Sequence, residues 1–107
     1  MKQRPDPLPR YDAEAALQGL AEAFASLQSG EDVVAFLRDL CTPAELEAMS
    51  DRWKVVPLLL EGVPYREIHE RTGVSVTTVG RVARTLDRGA GGYAIAARRA
   101  SRTHESH

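Results

Sequence analysis

Residues 65–88 read YREIHERTGVSVTTVGRVARTLDR, two short helical patterns separated by Thr72-Gly73-Val74. Pro64 suits the start of the first, because its fixed φ fits a helical first turn and its missing N–H would have no partner there. Gly73 ends that helix at a corner that calls for positive φ. Ser75 is a capping residue for the second helix, which the pattern carries for about 12 residues to near Arg88. Two short helices joined by a Gly-containing turn describe a helix-turn-helix, here Tyr65–Thr72 and Ser75–Asp87. Ile68 and Val79 are placed to pack the two helices together, and Val74 and Val82 to anchor the second to the body. The polar remainder, Thr77, Thr78, Gly80, Arg81 and Arg84, is left to face outward.

That outward face suits nucleic acid. The first turn of the second helix offers Ser75, Val76, Thr77 and Thr78, small side chains that permit close approach to base edges and thymine methyl groups. Helix N-terminal amides, with Arg66, His69 and Arg84, are suited to phosphates. The plainer alternative is a helical hairpin whose glycine turn packs a core and whose arginines form a solvated face. His69 weighs toward it, standing where a small residue is usual between the two helices.

Upstream, the strongest helix start is Thr42-Pro43-Ala44-Glu45. A Thr hydroxyl there caps an N–H, Pro occupies the first turn and Glu reaches back. Behind it Leu46, Met49, Trp53, Val56 and Leu60 alternate by 3 and 4, a seam that packs on another helix. Pro57 predicts a kink near Trp53 or a helix boundary close to itself, and Gly62 ends the helix. Asp12 caps an earlier helix to about Gln28, with Leu17, Leu20, Phe24 and Leu27 on one face. Ser29 and Asp32 then resemble a capping pair for a helix through about Leu40, with Val33, Val34, Leu37 and Leu40 as its buried stripe. Downstream, Gly89-Ala90-Gly91-Gly92 is a joint and lacks the lysine and strand context of a phosphate loop. A final alanine-rich helix is expected from Tyr93 to about Ser101. Residues 1–11, with Pro5, Pro7 and Pro9, read as a flexible arm, residues 12–101 as one all-helical domain and residues 102–107 as a frayed tail.

Length and charge bound the function. The 107 residues amount to one domain, which excludes a multidomain enzyme. The chain is 43% hydrophobic but only 6% aromatic, so its core is modest and self-association is expected. The net charge of −1 averages two unlike halves: residues 1–51 carry 4 basic and 10 acidic side chains, a net of −6, and residues 52–107 carry 10 basic and 5 acidic, a net of +5. The basic half contains the whole helix-turn-helix, an asymmetry that favours nucleic acid as a partner of that half. The single Cys41 excludes an internal disulfide and reads as a small buried hydrophobe, although its place before a helix cap offers a route to a lowered thiol pKa. No secretory pattern follows Met1, and the longest apolar run, Val55 to Leu60, is too short to cross a bilayer. A cytoplasmic protein with no membrane partner is expected.

The string Leu40-Cys41-Thr42-Pro43-Ala44-Glu45-Leu46-Glu47-Ala48-Met49 with Arg52, then Leu59-Leu60-Glu61-Gly62, Tyr65-Arg66-Glu67-Ile68, and Thr72 through Val82, resembles the Trp repressor superfamily. Leu86-Asp87-Arg88-Gly89 with Gly92-Tyr93 resembles its YerC/YecD branch more than the tryptophan-sensing repressor. The resemblance spans roughly residues 12–99 and implies an all-α intertwined homodimer. Its first three helices would form a shared core, and two helix-turn-helix heads would read half-sites of a pseudo-palindrome about 34 Å apart on double-stranded DNA.

The resemblance also bears on a small-molecule switch. In tryptophan-sensing relatives two arginines sandwich the indole, a threonine lies nearby and a glycine follows the second arginine. Arg52 and Arg81 match the arginines and Thr42 the threonine, and Thr85 completes the candidate effector pocket, but the glycine position is Val82. Its methyl groups would intrude where a flat ring should lie, so no cofactor is expected and tryptophan is disfavoured, with another small corepressor left open. Arg52 is equally suited to pairing with Asp51 or Glu47, and Arg81 to a phosphate.

His104 and His107 have a chelating spacing, but a solvated tail explains them as well. Trp53 and Tyr93 read as core anchors. No nucleophile triad or paired-carboxylate arrangement stands out, so the protein reads as a non-enzyme and as a transcriptional repressor. The alternative is a helical protein-interaction module, a sigma-factor-like or antitoxin-like adaptor without DNA binding of its own.

Overall fold

A computed structural model describes residues 12–105, and every regular element among them is an α-helix. The expected N-terminal arm, residues 1–11, and His107 with its chelating partnership lie outside the described residues. The chain divides into two compact units, residues 1–40 and 41–107.

The first unit holds α1 (Ala13–Ser26) and α2 (Gly30–Leu40). Asp12 caps α1, its carboxylate accepting from the Ala15 N–H at 3.1 Å. Between the helices the Ser29 hydroxyl accepts from the Asp32 N–H at 3.1 Å, and the Asp32 carboxylate accepts from the Gln28 N–H at 3.3 Å. The Ser29 hydroxyl thus caps α2, while the Asp32 carboxylate reaches one residue before the cap and not the Ser29 N–H of a full capping box. Phe24 of α1 meets Phe36 of α2 edge to face, with centroids 5.1 Å apart and planes at 84°. The stripe expected to be buried along α2 is not buried: Val33 and Leu37 are half-buried, while Val34 and Leu40 are each 48% exposed. Two short helices have too little surface to close over one another's apolar faces.

The second unit holds α3 (Pro43–Leu60), α4 (Tyr65–Thr72), α5 (Val76–Arg88) and α6 (Gly92–Glu105). Thr42 and Glu45 form the expected capping box, with the Thr42 hydroxyl accepting from the Glu45 N–H at 3.1 Å and the Glu45 carboxylate from the Thr42 N–H at 2.8 Å. Of the kink or boundary expected at Pro57, the boundary is not found: α3 runs on to Leu60 with Pro57 inside it. Pro57 itself is exposed, and Val55 and Val56 beside it are fully buried. Packing on that buried side outweighs the single backbone bond that proline removes. Gly62, at φ +80, then ends the helix: its N–H donates to Leu59 O at 3.0 Å and the Val63 N–H to Leu58 O at 3.0 Å. These are the paired bonds of a Schellman motif.

The core is Val55, Val56, Ile68, Val74, Val79 and Val82, ringed by Leu58, Leu59, Val63, Leu86, Tyr93 and Ala97. It joins α3 to α4, α5 and α6, and α4 to α5. Tyr93 thus takes its expected place beside the core, but Trp53 is 39% exposed, as are Met49 at 37% and Leu60 at 55%. Of the α3 seam only Val56 is fully buried in the single chain. Helix α6 continues past the expected end at Ser101 to Glu105, so the tail is helical over residues 102–105. Ala94, Ala96, Ala97 and Ala100 favour helix.

Candidate nucleic-acid interface

Helices α4 and α5 meet at a tightly tied turn. Gly73 caps α4 at φ +79 and donates its N–H to His69 O at 2.8 Å. The Thr72 hydroxyl donates back to Ile68 O at 2.7 Å and accepts from the Val74 N–H at 3.1 Å. His69 Nδ1 lies 2.9 Å from Val74 O, which makes it the protonated ring nitrogen. Across the turn the Ser75 hydroxyl caps α5 by accepting from the Thr78 N–H at 3.1 Å, and it meets the Thr78 hydroxyl at 3.1 Å. The corner is therefore tied by bonds from both the end of α4 and the first turn of α5.

The division of faces follows the sequence. Ile68, Val74, Val79 and Val82 are all buried, and they fix which side of α5 is turned away from the body. On that outer side Ser75, Val76, Thr77, Arg81 and Arg84 are exposed, Val76 by 47%, and Thr78 and Gly80 are half-buried. Arg66 and His69 are exposed on α4. His69 is therefore outside the helix–helix contact and does not crowd it; one ring nitrogen serves the turn and the other faces away from that bond. Thr77 makes no side-chain hydrogen bond among the described residues, in contrast to the two hydroxyls flanking it.

Arg66, Arg81 and Arg84 form no ion pair among the described residues. Pairs among the described residues include Lys54–Asp51 and Arg88–Asp87, each at 3.5 Å, and Arg71–Glu67 at 3.3 Å. The last of these takes Arg71 out of the set of available cations on α4. What stands clear is a helix N-terminus, three small side chains and three guanidinium groups on one helical pair. Such a surface can hydrogen-bond phosphate oxygens while the small residues approach base edges.

The residues expected around a small effector are dispersed among other duties. Thr42 caps α3, Arg52 is half-buried on α3, and the Thr85 hydroxyl donates to Arg81 O at 3.1 Å. Val82 is 1% exposed and belongs to the core. Asp51, a suggested partner for Arg52, pairs with Lys54. A groove of about 360 Å³ at the α5–α6 joint is lined by Thr85, Leu86, Tyr93 and the 90–92 segment, and of the five expected residues only Thr85 reaches it. Among the described residues no group of three or more His, Cys, Asp or Glu is arranged to hold a metal ion, and no helix is long and apolar enough to cross a membrane.

One residue of this surface escaped the sequence pattern. Tyr65, 44% exposed at the start of α4, approaches Gly80 of α5. A tyrosine beside a proline carries no periodic signal, and only the packing of α4 on α5 brings the two positions together.

Comparison with known proteins places this geometry among relatives. The family model described as "Trp repressor protein" matches residues 15–101. A Bacillus subtilis protein described as "Uncharacterized protein YerC" is 36% identical over 87 residues, covering 81% of this chain and 84% of that one. The crystal structure of a TrpR-like protein from Eubacterium eligens ATCC 27750 superposes with a TM-score of 0.75 at 34% identity, covering 81% of this chain and 90% of that one. A second crystal structure, from Staphylococcus aureus, gives 0.75 at 33% identity over 81% of this chain and 87% of that one.

Proposed function

Because the chain belongs to the Trp repressor family, we propose that it is a DNA-binding transcriptional repressor, and not an enzyme, that reads a pseudo-palindromic operator as a homodimer. The observation that carries this reading is the two-sidedness of α5. Its inner side is locked into the core by Val79 and Val82, and its outer side sets Ser75, Val76, Thr77 and Thr78 beside the unpaired Arg81 and Arg84. In this arrangement the first turn of α5 enters the major groove, Thr77 and Val76 meet base edges, and Arg66, His69 and Arg84 hold phosphates on either side. The homodimer draws support from the apolar side chains that the single chain leaves in water on α3, Met49, Trp53 and Leu60. A second copy presenting the same surface would cover them.

Operator binding on this reading does not depend on tryptophan. Val82 fills the core at the position where a ligand ring would need room, so added L-tryptophan should leave duplex affinity unchanged; a tightening would reverse the conclusion.

The main test is an anisotropy titration of the full chain against random and selected duplexes at two salt concentrations. Binding should weaken steeply with salt, because displaced counterions drive it. Arg84→Ala should reduce the slope of log K against log salt by about one, the share of one phosphate contact. Thr77→Ala should lower affinity for the selected duplex more than for the random one. Absence of any duplex affinity at low salt, together with salt-insensitive capture of a protein, would instead establish the adaptor reading.

A further inference from the structure

Gly80 interrupts the middle of α5, where glycine weakens a helix relative to a residue with a side chain. A Cβ added there would lie 3.7 Å from Tyr65 Cε2 and 3.8 Å from Arg84 Nη1. The tyrosine ring of α4 and the guanidinium of α5 thus border the same small space above bare backbone. Arg84 is exposed and has no ion pair among the described residues, so nothing acidic orders it. Tyr65, 44% exposed, lines a groove with Val63, Ala83 and Leu86. An exposed cation within reach of an aromatic ring is the situation in which a cation–π contact can order the cation.

We propose that Tyr65 is a positioning residue for Arg84, holding its guanidinium over Gly80 so that it meets a DNA phosphate already ordered. The missing side chain at position 80 is what leaves room for the pair. Alanine would still fit, because its methyl would make ordinary contacts, whereas a longer side chain would push ring and guanidinium apart. Arg81, one residue from Gly80, is not among the groups bordering that space. Ordering the guanidinium before binding removes part of the entropy that an exposed arginine loses on contact. Because the ring comes from α4, the packing of α4 on α5 also sets where the arginine points.

This inference rests on the DNA-binding reading, and two measurements separate their fates. In the free full-length protein, the ring should shift the Arg84 side-chain NMR resonances. Tyr65→Leu and Gly80→Leu should each abolish that shift, Tyr65→Phe should preserve it, and Arg81 should be unaffected. Arg84 resonances that ignore both leucine variants would overturn the proposal without any reference to DNA. In the duplex titration, Tyr65→Leu should weaken binding about threefold, the size of an exposed cation–π contact. In an Arg84→Ala background that loss should disappear, while in an Arg81→Ala background it should persist. Equal losses with and without Arg84 would show that the ring acts on its own and would overturn the inference even if DNA binding held. A wild-type chain with no duplex affinity would overturn the functional reading, and the resonance shifts would then decide the pairing alone.

Discussion

The two compact units bury their apolar side chains very differently. In the second, α3, α4 and α5 close over Val55, Val56, Ile68, Val74, Val79 and Val82 without help from another chain. In the first, α1 and α2 share the Phe24–Phe36 contact but contain no fully buried residue, and Leu17 is 58% exposed. Composition does not explain the difference, since both units supply apolar stripes at helical spacing. Geometry does: a turn fixed by Gly73 and Ser75 brings several helices around one point, whereas a lone pair of helices leaves each stripe half open. The α3–α5 core of the second unit, the head, closes on itself, although Met49, Trp53 and Leu60 on α3 still face water. The first has the character of half an interface, which is what the proposed shared dimer core requires.

Substitutions on the two sides should therefore fail in different ways. Ile68→Ala removes the largest fully buried side chain of the head and should cost about 3–4 kcal/mol of unfolding free energy. That loss, read by urea denaturation, should not depend on protein concentration. Val34→Asp should barely disturb a monomer, in which the residue is already 48% exposed. If α2 is buried between copies, the same change should raise the dimer dissociation constant at least about 30-fold, as loss of a hot spot does, seen by sedimentation at falling concentration. An unchanged sedimentation profile would erase the contrast between the units. The smallest effect is expected from Thr42→Ala, which loses one side of the capping box and about 1 kcal/mol. Its destabilisation should appear with or without tryptophan, because the hydroxyl serves the helix end.

Features that depend on near neighbours were legible in the residues themselves. The capping box at Thr42, the Ser29 cap, the stops at Gly62 and Gly73, and the inward set Ile68, Val74, Val79 and Val82 all follow from spacing and turn chemistry. Local propensity alone favours a helix boundary at Pro57, and what carries the helix past it is the burial of Val55 and Val56, a tertiary fact. Along α3, periodicity says only that Met49, Trp53 and Leu60 share a stripe and not whether their cover comes from the same chain. The Tyr65–Gly80–Arg84 arrangement was invisible for another reason: it depends on the angle between two helices, and no pattern along the chain encodes that angle.

All six members of the core lie between Val55 and Val82, so the head is assembled from stretches of chain that start out close together. Little loop-closure entropy must be lost before those contacts begin to stabilise, and helical folds of such local connectivity form in microseconds to milliseconds. Pairing of two chains, by contrast, is a second-order event whose rate falls with dilution. The surface proposed to meet DNA is thus completed by a first-order process, independently of how scarce the protein is. Abundance would then govern only how often two finished heads are joined, and so how steeply operator occupancy responds to the amount of protein made.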